Sequence, residues 1–176
     1  MAMEVKTAEI RPTQKPLDFS VVRGTKLEDK SKSYEGIQYT NSFRVNRRIQ
    51  LTGFTFFIPE KEKIDDTVYC VVVKTMRGEK VVANFRRYKS KAELEQADNQ
   101  RIRINPPRLI VIEPDVWYDV KFEIRGPPTR RLKLVKTRVV VYADKEKEGC
   151  GHQHPIATFD FFMGSGQLPE YHFLLC

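Results

Sequence analysis

Apolar and polar residues alternate along most of this chain in short runs that favour β-strands. The runs are rich in Val, Ile, Phe and Tyr, which fit a pleated, half-buried surface, and clusters of Gly, Pro, Asn or Asp separate them. The pattern predicts ten strands, at residues 17–23, 41–46, 49–58, 67–76, 80–88, 108–113, 117–126, 132–143, 156–162 and 169–175.

Two segments between these runs carry their own local signals. In residues 90–98, SKAELEQAD, Ser90 precedes Glu93 by three positions, which is the spacing of a helix capping box and predicts one or two helical turns. Residues 76–79 predict a hairpin turn. About ten short strands with at most one short helix predict an all-β fold, an antiparallel two-sheet β-sandwich with one short helical insertion.

The run at residues 45–57, VNRRIQLTGFTFF, has large apolar side chains on both faces of the predicted strand. Strict alternation puts Ile49, Leu51 and Gly53 on one face and Phe54 and Phe56 on the other. We expect the first group to enter the sandwich core. The two phenylalanines are then expected to lie under a crossing loop or to face a partner.

Length and composition limit the class of protein. The 176 residues fit one domain, and we predict a disordered tail at residues 1–16 and a sandwich domain at residues 17–176. No apolar run reaches the roughly 18–20 residues of a membrane span, and the N-terminus lacks a signal-peptide core. The three cysteines are odd in number and widely spaced, which predicts a reducing, intracellular setting, cytoplasmic or nuclear.

Three blocks of residues, in order along the chain, form a recognisable pattern. They are Tyr34, Gly36, Phe43, Val45, Asn46, Arg47, Ile49, Leu51, Gly53 and Phe54; then Tyr118, Gly126 and Pro127; then Gly166, Gln167, Leu168, Pro169 and Glu170. Together they resemble the PHR domain, which is found in the Pam and Highwire ubiquitin ligases and in a set of BTB-domain proteins. The chain departs from that family at Lys32, where an aromatic residue is usual, in the short loop at 163–166, and in the insertion at 90–98.

The resemblance implies a jelly-roll-type β-sandwich without catalytic activity or a cofactor. In known members the domain is a protein-interaction module that helps to choose or hold a partner of a ubiquitin ligase. Loops at the rim of a sandwich usually carry its specificity. Because the loops of this chain differ from the family pattern, the particular partners of the family are not carried over.

Basic residues supply the charged candidates for partner contacts. The formal net charge of +8 favours an acidic partner, nucleic acid included. Residues 121–138 carry seven basic groups against one acid, and we expect a cationic strand edge or loop there that either prevents aggregation or binds an anion. Arg47 matches the family pattern and is expected to be structural. The candidate contacts are Arg48, Arg86, Arg87, Arg130 and Arg131.

Aromatic residues supply the other candidates. Trp117 and Tyr118 begin one predicted strand, and Phe161 and Phe162 end another, so one residue of each pair faces outward if the strands are regular. Aromatic residues beside arginine are enriched at binding hot spots. We therefore predict Trp117 and Phe162 as partner contacts, with burial under loops as the alternative.

Metal-binding and catalytic patterns are weak or missing. Cys150, His152 and His154 stand at alternate positions, but zinc ligands usually have two to five residues between them and a fourth ligand is needed, so a metal-free loop is favoured. Nucleophile-elbow, phosphate-loop, dinucleotide and zinc-protease motifs are absent from the sequence. We predict that the chain is not an enzyme and needs no cofactor.

The sequence thus favours a non-catalytic protein-interaction module, an adaptor or scaffold domain with a protein partner that is acidic or anchored by aromatics. The alternative is a β-sandwich that binds RNA or DNA through its basic surface, for which residues 84–91, with Phe85 and Tyr88 among cations, give a weak signal. A sugar-binding sandwich is disfavoured because the chain has a single tryptophan.

Overall fold

Two antiparallel β-sheets form the described part of the chain in a computed structural model that covers residues 18–142, 154–162 and 164–175. The five-stranded sheet contains β1 (Asp18–Val22), β3 (Ile49–Phe57), β6 (Arg101–Ile104), β7 (Ile110–Ile112) and β11 (Glu170–Leu175). The six-stranded sheet contains β2 (Tyr39–Val45), β4 (Tyr69–Arg77), β5 (Lys80–Lys89), β8 (Tyr118–Arg125), β9 (Arg138–Tyr142) and β10 (Pro155–Phe162). This arrangement confirms the predicted all-β sandwich.

Neighbouring strands in each sheet come from distant parts of the chain. The five-stranded sheet has the order β1-β11-β3-β6, with β7 paired to another stretch of β3, and the six-stranded sheet has the order β5-β4-β8-β2-β10-β9. The first and last strands, β1 and β11, lie side by side. Because most pairings are non-local, the core forms only when both sheets are in place. The predicted tail at residues 1–16 lies outside the described residues.

The facing surfaces of the two sheets enclose a core that is dominated by aromatic rings. Phe56 of the five-stranded sheet meets Phe122 of the six-stranded sheet edge to face, with ring centroids 5.3 Å apart. Phe43 also meets Tyr171 across the two sheets, with tilted rings and centroids 5.5 Å apart. Offset and edge contacts of this kind stabilise a core beyond the area that they bury.

A β-bulge in β3 overturns the predicted faces of residues 45–57. Leu51 pairs with Phe173 and Gly53 with His172, which leaves Thr52 as an extra residue in β3. The alternation therefore shifts by one position, so Phe54 and Phe56 join Ile49 and Leu51 in the core. The expectation that these phenylalanines lie under a loop or face a partner is wrong.

Gly53 lies on the outer face of β3 rather than in the core, which also corrects the sequence-based assignment. A Cβ atom at Gly53 would lie 2.5 Å from Asn105 Oδ1 and 2.7 Å from Arg103 Nε. The Arg103 guanidinium covers this face and donates to Asp18 Oδ2 at 2.8 Å and to Thr52 Oγ1 at 3.0 Å. Side chains of β6, not a crossing loop, thus cover this part of β3.

The two local signals in the sequence are confirmed. Helix α1 spans Lys91–Gln96, and the Ser90 hydroxyl accepts a hydrogen bond from the Glu93 backbone nitrogen at 3.2 Å. The turn between β4 and β5 has Gly78 with a φ of 59°, a left-handed conformation that glycine adopts at little cost. Within the described residues, no helix is long and apolar enough to cross a membrane.

The observed strands differ from the prediction in two places. Strand β6 was not predicted, because two of its four residues are arginines. Residues 132–137 were predicted to begin a strand, but β9 starts at Arg138; instead, residues 126–137 form what we call the crossing segment. It pairs with residues 23–32 through isolated bridges, one of which joins Leu27 and Leu132. Leu132 is buried and Leu134 is 69% exposed, so the predicted two-faced strand is wrong there.

Candidate protein-interaction surface

Two exposed aromatic side chains meet on the outer face of the six-stranded sheet. Tyr118 and Phe161 point into the core, which leaves Trp117 40% exposed and Phe162 63% exposed. This confirms that one residue of each adjacent pair faces outward. The two exposed rings pack edge to face with centroids 6.4 Å apart.

The register of the sheet explains why these two residues meet. Strand β2 lies between β8 and β10, with Phe43 opposite both Tyr118 and Phe161. Trp117 precedes Tyr118, and Phe162 follows Phe161, so the two exposed rings reach across β2 from opposite sides. Nothing in the sequence alone predicts that these strands share β2 as a neighbour.

Arg44 of β2 completes the group, and we call Arg44, Trp117 and Phe162 the aromatic patch. The Arg44 guanidinium carbon lies 5.0 Å from the centroid of the Trp117 ring, within range of a cation–π interaction. Arg44 Nε also pairs with Asp160 Oδ2 at 3.1 Å. The patch therefore offers a broad apolar surface with one positive charge at its margin.

Asp160 of β10 holds two arginines at once. Its second carboxylate oxygen pairs with Nε of Arg138 on β9 at 2.8 Å. The hydrogen bond from Arg138, followed by that from Arg44, holds the pKa of Asp160 below its ordinary value. Because Asp160 stays ionised, it fixes the orientation of Arg44 beside Trp117. The three residues of this ion-pair network were not identified from the sequence.

The sequence gives only a faint signal for Arg44 and Asp160. Arg44 occupies the polar position between the core residues Phe43 and Val45, and Asp160 occupies the position between Phe159 and Phe161. Alternation alone places both side chains on an outer face. Their contact depends on the pairing of β2 with β10, which sequence alternation does not give.

The rest of this outer face is mainly basic. Lys74 of β4 lies directly opposite Lys121 of β8, and Arg125 further along β8 pairs with Glu123 at 4.0 Å. Two like charges in opposite positions disfavour the pairing of their strands. An acidic partner group placed between the two lysines would relieve that repulsion. Of the predicted basic stretch at residues 121–138, Lys121 and Arg125 lie on this sheet face, residues 130–136 lie in the crossing segment, and Arg138 lies on the edge strand β9.

Arg86 and Arg87, predicted as joint contacts, lie on opposite faces of β5. Arg86 Nη1 donates to the Tyr88 hydroxyl at 3.1 Å on the outer face. The Arg87 guanidinium carbon lies 5.1 Å from the centroid of Phe85 on the core side. Successive residues of a strand point in opposite directions, so the two arginines do not form a single basic contact.

Arg47 and Arg48 follow β2 and make different contacts. Arg47 Nη1 donates to the Ile156 carbonyl at 3.1 Å, a contact that joins the turn after β2 to β10 and fits a structural role. Arg48 pairs with Glu113 at 3.5 Å and keeps 59% of its side chain exposed. Arg48 remains a candidate contact near the end of β2 that carries the aromatic patch.

Arg130 and Arg131 lie in the crossing segment, away from the aromatic patch. Arg130 Nε pairs with Glu60 Oε1 at 2.6 Å, and this hydrogen bond holds the pKa of Glu60 below its ordinary value. Arg131 lies near the buried Tyr34, which lies five residues before the start of β2 at Tyr39. The structure thus divides the predicted contact residues among separate surfaces and brings only Trp117 and Phe162 together.

The predicted metal-binding loop is largely outside the described residues. Cys150 and His152 are not described, and His154 is exposed. His172 of β11 shares a 2.6 Å hydrogen bond with the Thr55 hydroxyl. Among residues 18–142, 154–162 and 164–175, no cluster of His, Cys, Asp and Glu has the geometry of a metal site.

A cavity of ≈ 660 Å³ lies on the other side of the molecule, against the five-stranded sheet. Its walls include Thr55, Arg101, Arg103 and Glu170. Arg103 already pairs with Asp18, and Arg101 lies over the ring of Phe57 at 5.0 Å. These contacts hold the cavity walls together and leave the aromatic patch as the more exposed apolar surface.

The comparison with known families agrees with this architecture. The family model of the PHR domain matches residues 26–146. The chain belongs to the PHR domain family. PHR domains are non-catalytic interaction domains of ubiquitin-ligase-type proteins. No curated protein matches this chain.

Several residues of the PHR pattern are buried in the core. Phe43, Val45, Ile49 and Leu51, which carry the family pattern, are core residues with no exposed surface. Arg44 lies between two of them but is not part of the pattern. These residues of the family pattern therefore build the core of the sandwich, whereas the aromatic patch lies on its outer face.

Proposed function

We propose that this PHR domain is an adaptor or scaffold module that binds a protein partner through the aromatic patch, in the context of a ubiquitin ligase. The observation that carries the proposal is the contact between the exposed rings of Trp117 and Phe162, with Arg44 against the indole. Tryptophan and arginine are the residues most enriched at binding hot spots. The site of action that we propose is a reducing compartment, the cytoplasm or nucleus.

The fixed geometry of the patch favours binding. Arg44 is held by Asp160, and Trp117 lies between Arg44 and Phe162, so little side-chain freedom is left to lose when a partner docks. Association costs free energy for each side chain that it immobilises, and an ordered surface reduces that cost. The basic surroundings favour a partner whose contact surface is acidic around an apolar centre.

Nucleic-acid binding is the alternative, and the geometry gives it less support. A strand-binding groove needs cations and stacking rings on one continuous surface. Here Arg86 and Arg87 face opposite ways, and Arg130 is paired with Glu60. The two functions differ in salt dependence, because phosphate contacts lose affinity steeply as salt rises.

The test compares the full chain with the double variant Trp117→Ala/Phe162→Ala in a pull-down from cell lysate, with and without nuclease. We expect a discrete set of nuclease-resistant proteins to bind the wild type and to weaken by roughly thirtyfold or more in the variant, as loss of a hot-spot aromatic predicts. A matched control, Leu109→Ala/Val111→Ala, removes exposed apolar groups from the five-stranded sheet and is expected to bind normally.

Each result has a definite meaning for the proposal. If the double variant retains the same proteins, recognition does not use the aromatic patch and the proposal fails. If the bound set disappears with nuclease, the module binds nucleic acid. If ubiquitin-ligase components are among the proteins lost in the double variant, the proposed context is supported.

A further inference from the structure

Strand β5 forms one edge of the six-stranded sheet. It pairs with β4 on one side, and no described residue pairs with it on the other. The strand has ten residues, and an edge of that length presents a row of unpaired backbone N–H and C=O groups. Thr75 pairs with Ala83 and Met76 with Val81, so a bulge at Val82 interrupts the strand near its start. The regular edge therefore runs over residues 83–89.

The side chains along this edge are strongly one-sided in charge. Lys80, Arg86, Arg87 and Lys89 are basic, and β5 has no acidic residue. Lys89 pairs with Glu93 at 3.5 Å, whereas neither Arg86 nor Arg87 forms an ion pair with a carboxylate among the described residues. Arg87 Nη1 donates to the Arg86 carbonyl at 3.0 Å. The other guanidinium N–H groups of the two arginines remain to bind an incoming carboxylate beside the strand edge.

Both guanidinium groups are also held in place by aromatic neighbours. Arg86 donates to the Tyr88 hydroxyl at 3.1 Å, and Arg87 lies over the Phe85 ring. Because these arginines are adjacent on the strand, one lies on each face of the sheet. An added strand that runs beside β5 would meet one arginine on each of its own two faces.

We propose that an extended, acidic segment of a partner protein adds to the six-stranded sheet along residues 83–89. Backbone hydrogen bonds to the open edge supply part of the affinity, and two adjacent acidic residues of the segment pair with Arg86 and Arg87 on opposite faces. A second copy of β5 is a poor occupant because it would bring four more positive charges to the same edge. Cationic edges prevent such self-pairing while they leave an acidic strand free to add.

This inference deepens the proposed function by naming the chemistry of a partner segment. The two surfaces are distinct, since three strand spacings separate β5 from β2, about 14 Å in all. A partner could therefore contact the aromatic patch with a folded surface and the β5 edge with an extended one. The experiment below measures the edge without relying on the patch.

The probe is a fluorescein-labelled peptide of about nine residues with capped ends, in which two adjacent glutamates lie at the centre of alternating valines and threonines. Its binding to the full chain is measured by fluorescence anisotropy. We expect saturable binding, and Arg86→Gln/Arg87→Gln should weaken it by roughly fivefold or more. The matched control Lys26→Gln/Arg108→Gln removes the same charge from two exposed residues away from β5 and should leave binding unchanged.

Two N-methylated versions of the peptide test for strand addition itself. Methyl groups on one set of alternate amides block hydrogen bonds to β5, and methyl groups on the other set point away from it. We expect one version to lose binding and the other to keep it. Equal binding of both versions, or of a peptide with lysines in place of the glutamates, would overturn the proposal.

The variant that lacks the aromatic patch separates this inference from the proposed function. Trp117→Ala/Phe162→Ala keeps β5 intact and should bind the peptide with wild-type affinity; a loss there would place the peptide on the patch and overturn the assignment to β5. If the peptide fails to bind while the pull-down still depends on the aromatic patch, the proposal for the β5 edge is overturned and the proposed function stands.

Discussion

Asp160 shows how one side chain organises an exposed surface. It lies on the outer face of β10, between the core residues Phe159 and Phe161, and it binds arginines from the strands on both sides. Opposite charges across neighbouring strands stabilise a sheet modestly. The consequence for function is that Arg44 is aligned with Trp117, so that the patch has one shape before a partner arrives.

Replacing Asp160 by Asn should remove a pH-dependent part of the stability. Its folded pKa is lowered, so its contribution to the free energy of unfolding is present above its unfolded pKa near 3.8 and is lost as the pH falls through the folded value. The wild type should be more stable than Asp160→Asn at pH 7, and the gap should narrow progressively as the pH falls below 3.8. Urea titrations at several pH values measure this; a gap that does not change with pH would contradict the assignment.

Arg23, next to the last residue of β1, is a residue whose environment the sequence does not suggest. It is 1% exposed, its guanidinium carbon lies 4.2 Å from the centroid of the Phe161 ring, and Nη2 donates to the Lys136 carbonyl at 3.3 Å. Burial lowers the pKa of Arg23. A buried cation of this kind depends on its ring and carbonyl partners. Both partners are supplied by strands and segments more than a hundred residues away.

At the scale of single elements, the local sequence predicted the position of an element better than it predicted which of its faces is buried. The capping box located α1, and the alternation located β3. The bulge at Thr52 then exchanged the faces of β3 from Gly53 onward. A one-residue insertion changes the face of every later side chain, because the period of a strand is two residues.

The capping box of α1 gives a direct test at this scale. Replacing Ser90 by Ala removes the acceptor for the Glu93 backbone N–H and should lower the free energy of unfolding by about 1 kcal/mol. Ser90→Asp keeps an acceptor and should remain close to the wild type. Denaturant titration of the three proteins checks this, and an equal loss in both variants would show that the cap is not what stabilises α1.

At the scale of the whole molecule, the crossing segment is joined to the five-stranded sheet through Gly166 and Gln167, two residues of the third block of the family pattern. The Leu132 backbone nitrogen donates to the Gly166 carbonyl at 3.0 Å. The Gln167 side chain is fully buried; its Oε1 accepts from the Phe57 backbone nitrogen at 2.6 Å, and its Nε2 donates to the Thr129 hydroxyl. One glutamine thus joins β3 to the crossing segment.

Replacing Gly166 by Ala should destabilise the fold by about 2–3 kcal/mol, because the added Cβ would lie 2.9 Å from the Leu132 nitrogen and overlap the carbonyl of that residue. Backbone atoms cannot move aside as a side chain can. Gly36→Ala is the matched control: its site is open, and its φ of 75° alone should cost about 1 kcal/mol. Thermal unfolding ranks the two variants, and a smaller loss for Gly166→Ala would contradict this account.

The sequence by itself determined the class of fold, most strands, the capped helix, the PHR family and the fact that one residue of each adjacent aromatic pair faces outward. These properties depend on alternation, turn residues and capping, which act between residues close in the chain. Only the tertiary structure decided that Trp117 and not Tyr118 is exposed, that Trp117 meets Phe162 across β2, that Asp160 binds Arg44, and that Phe54 is a core residue. The reason is that strand order and register join residues far apart in the chain, and a single bulge changes which side chains share a face.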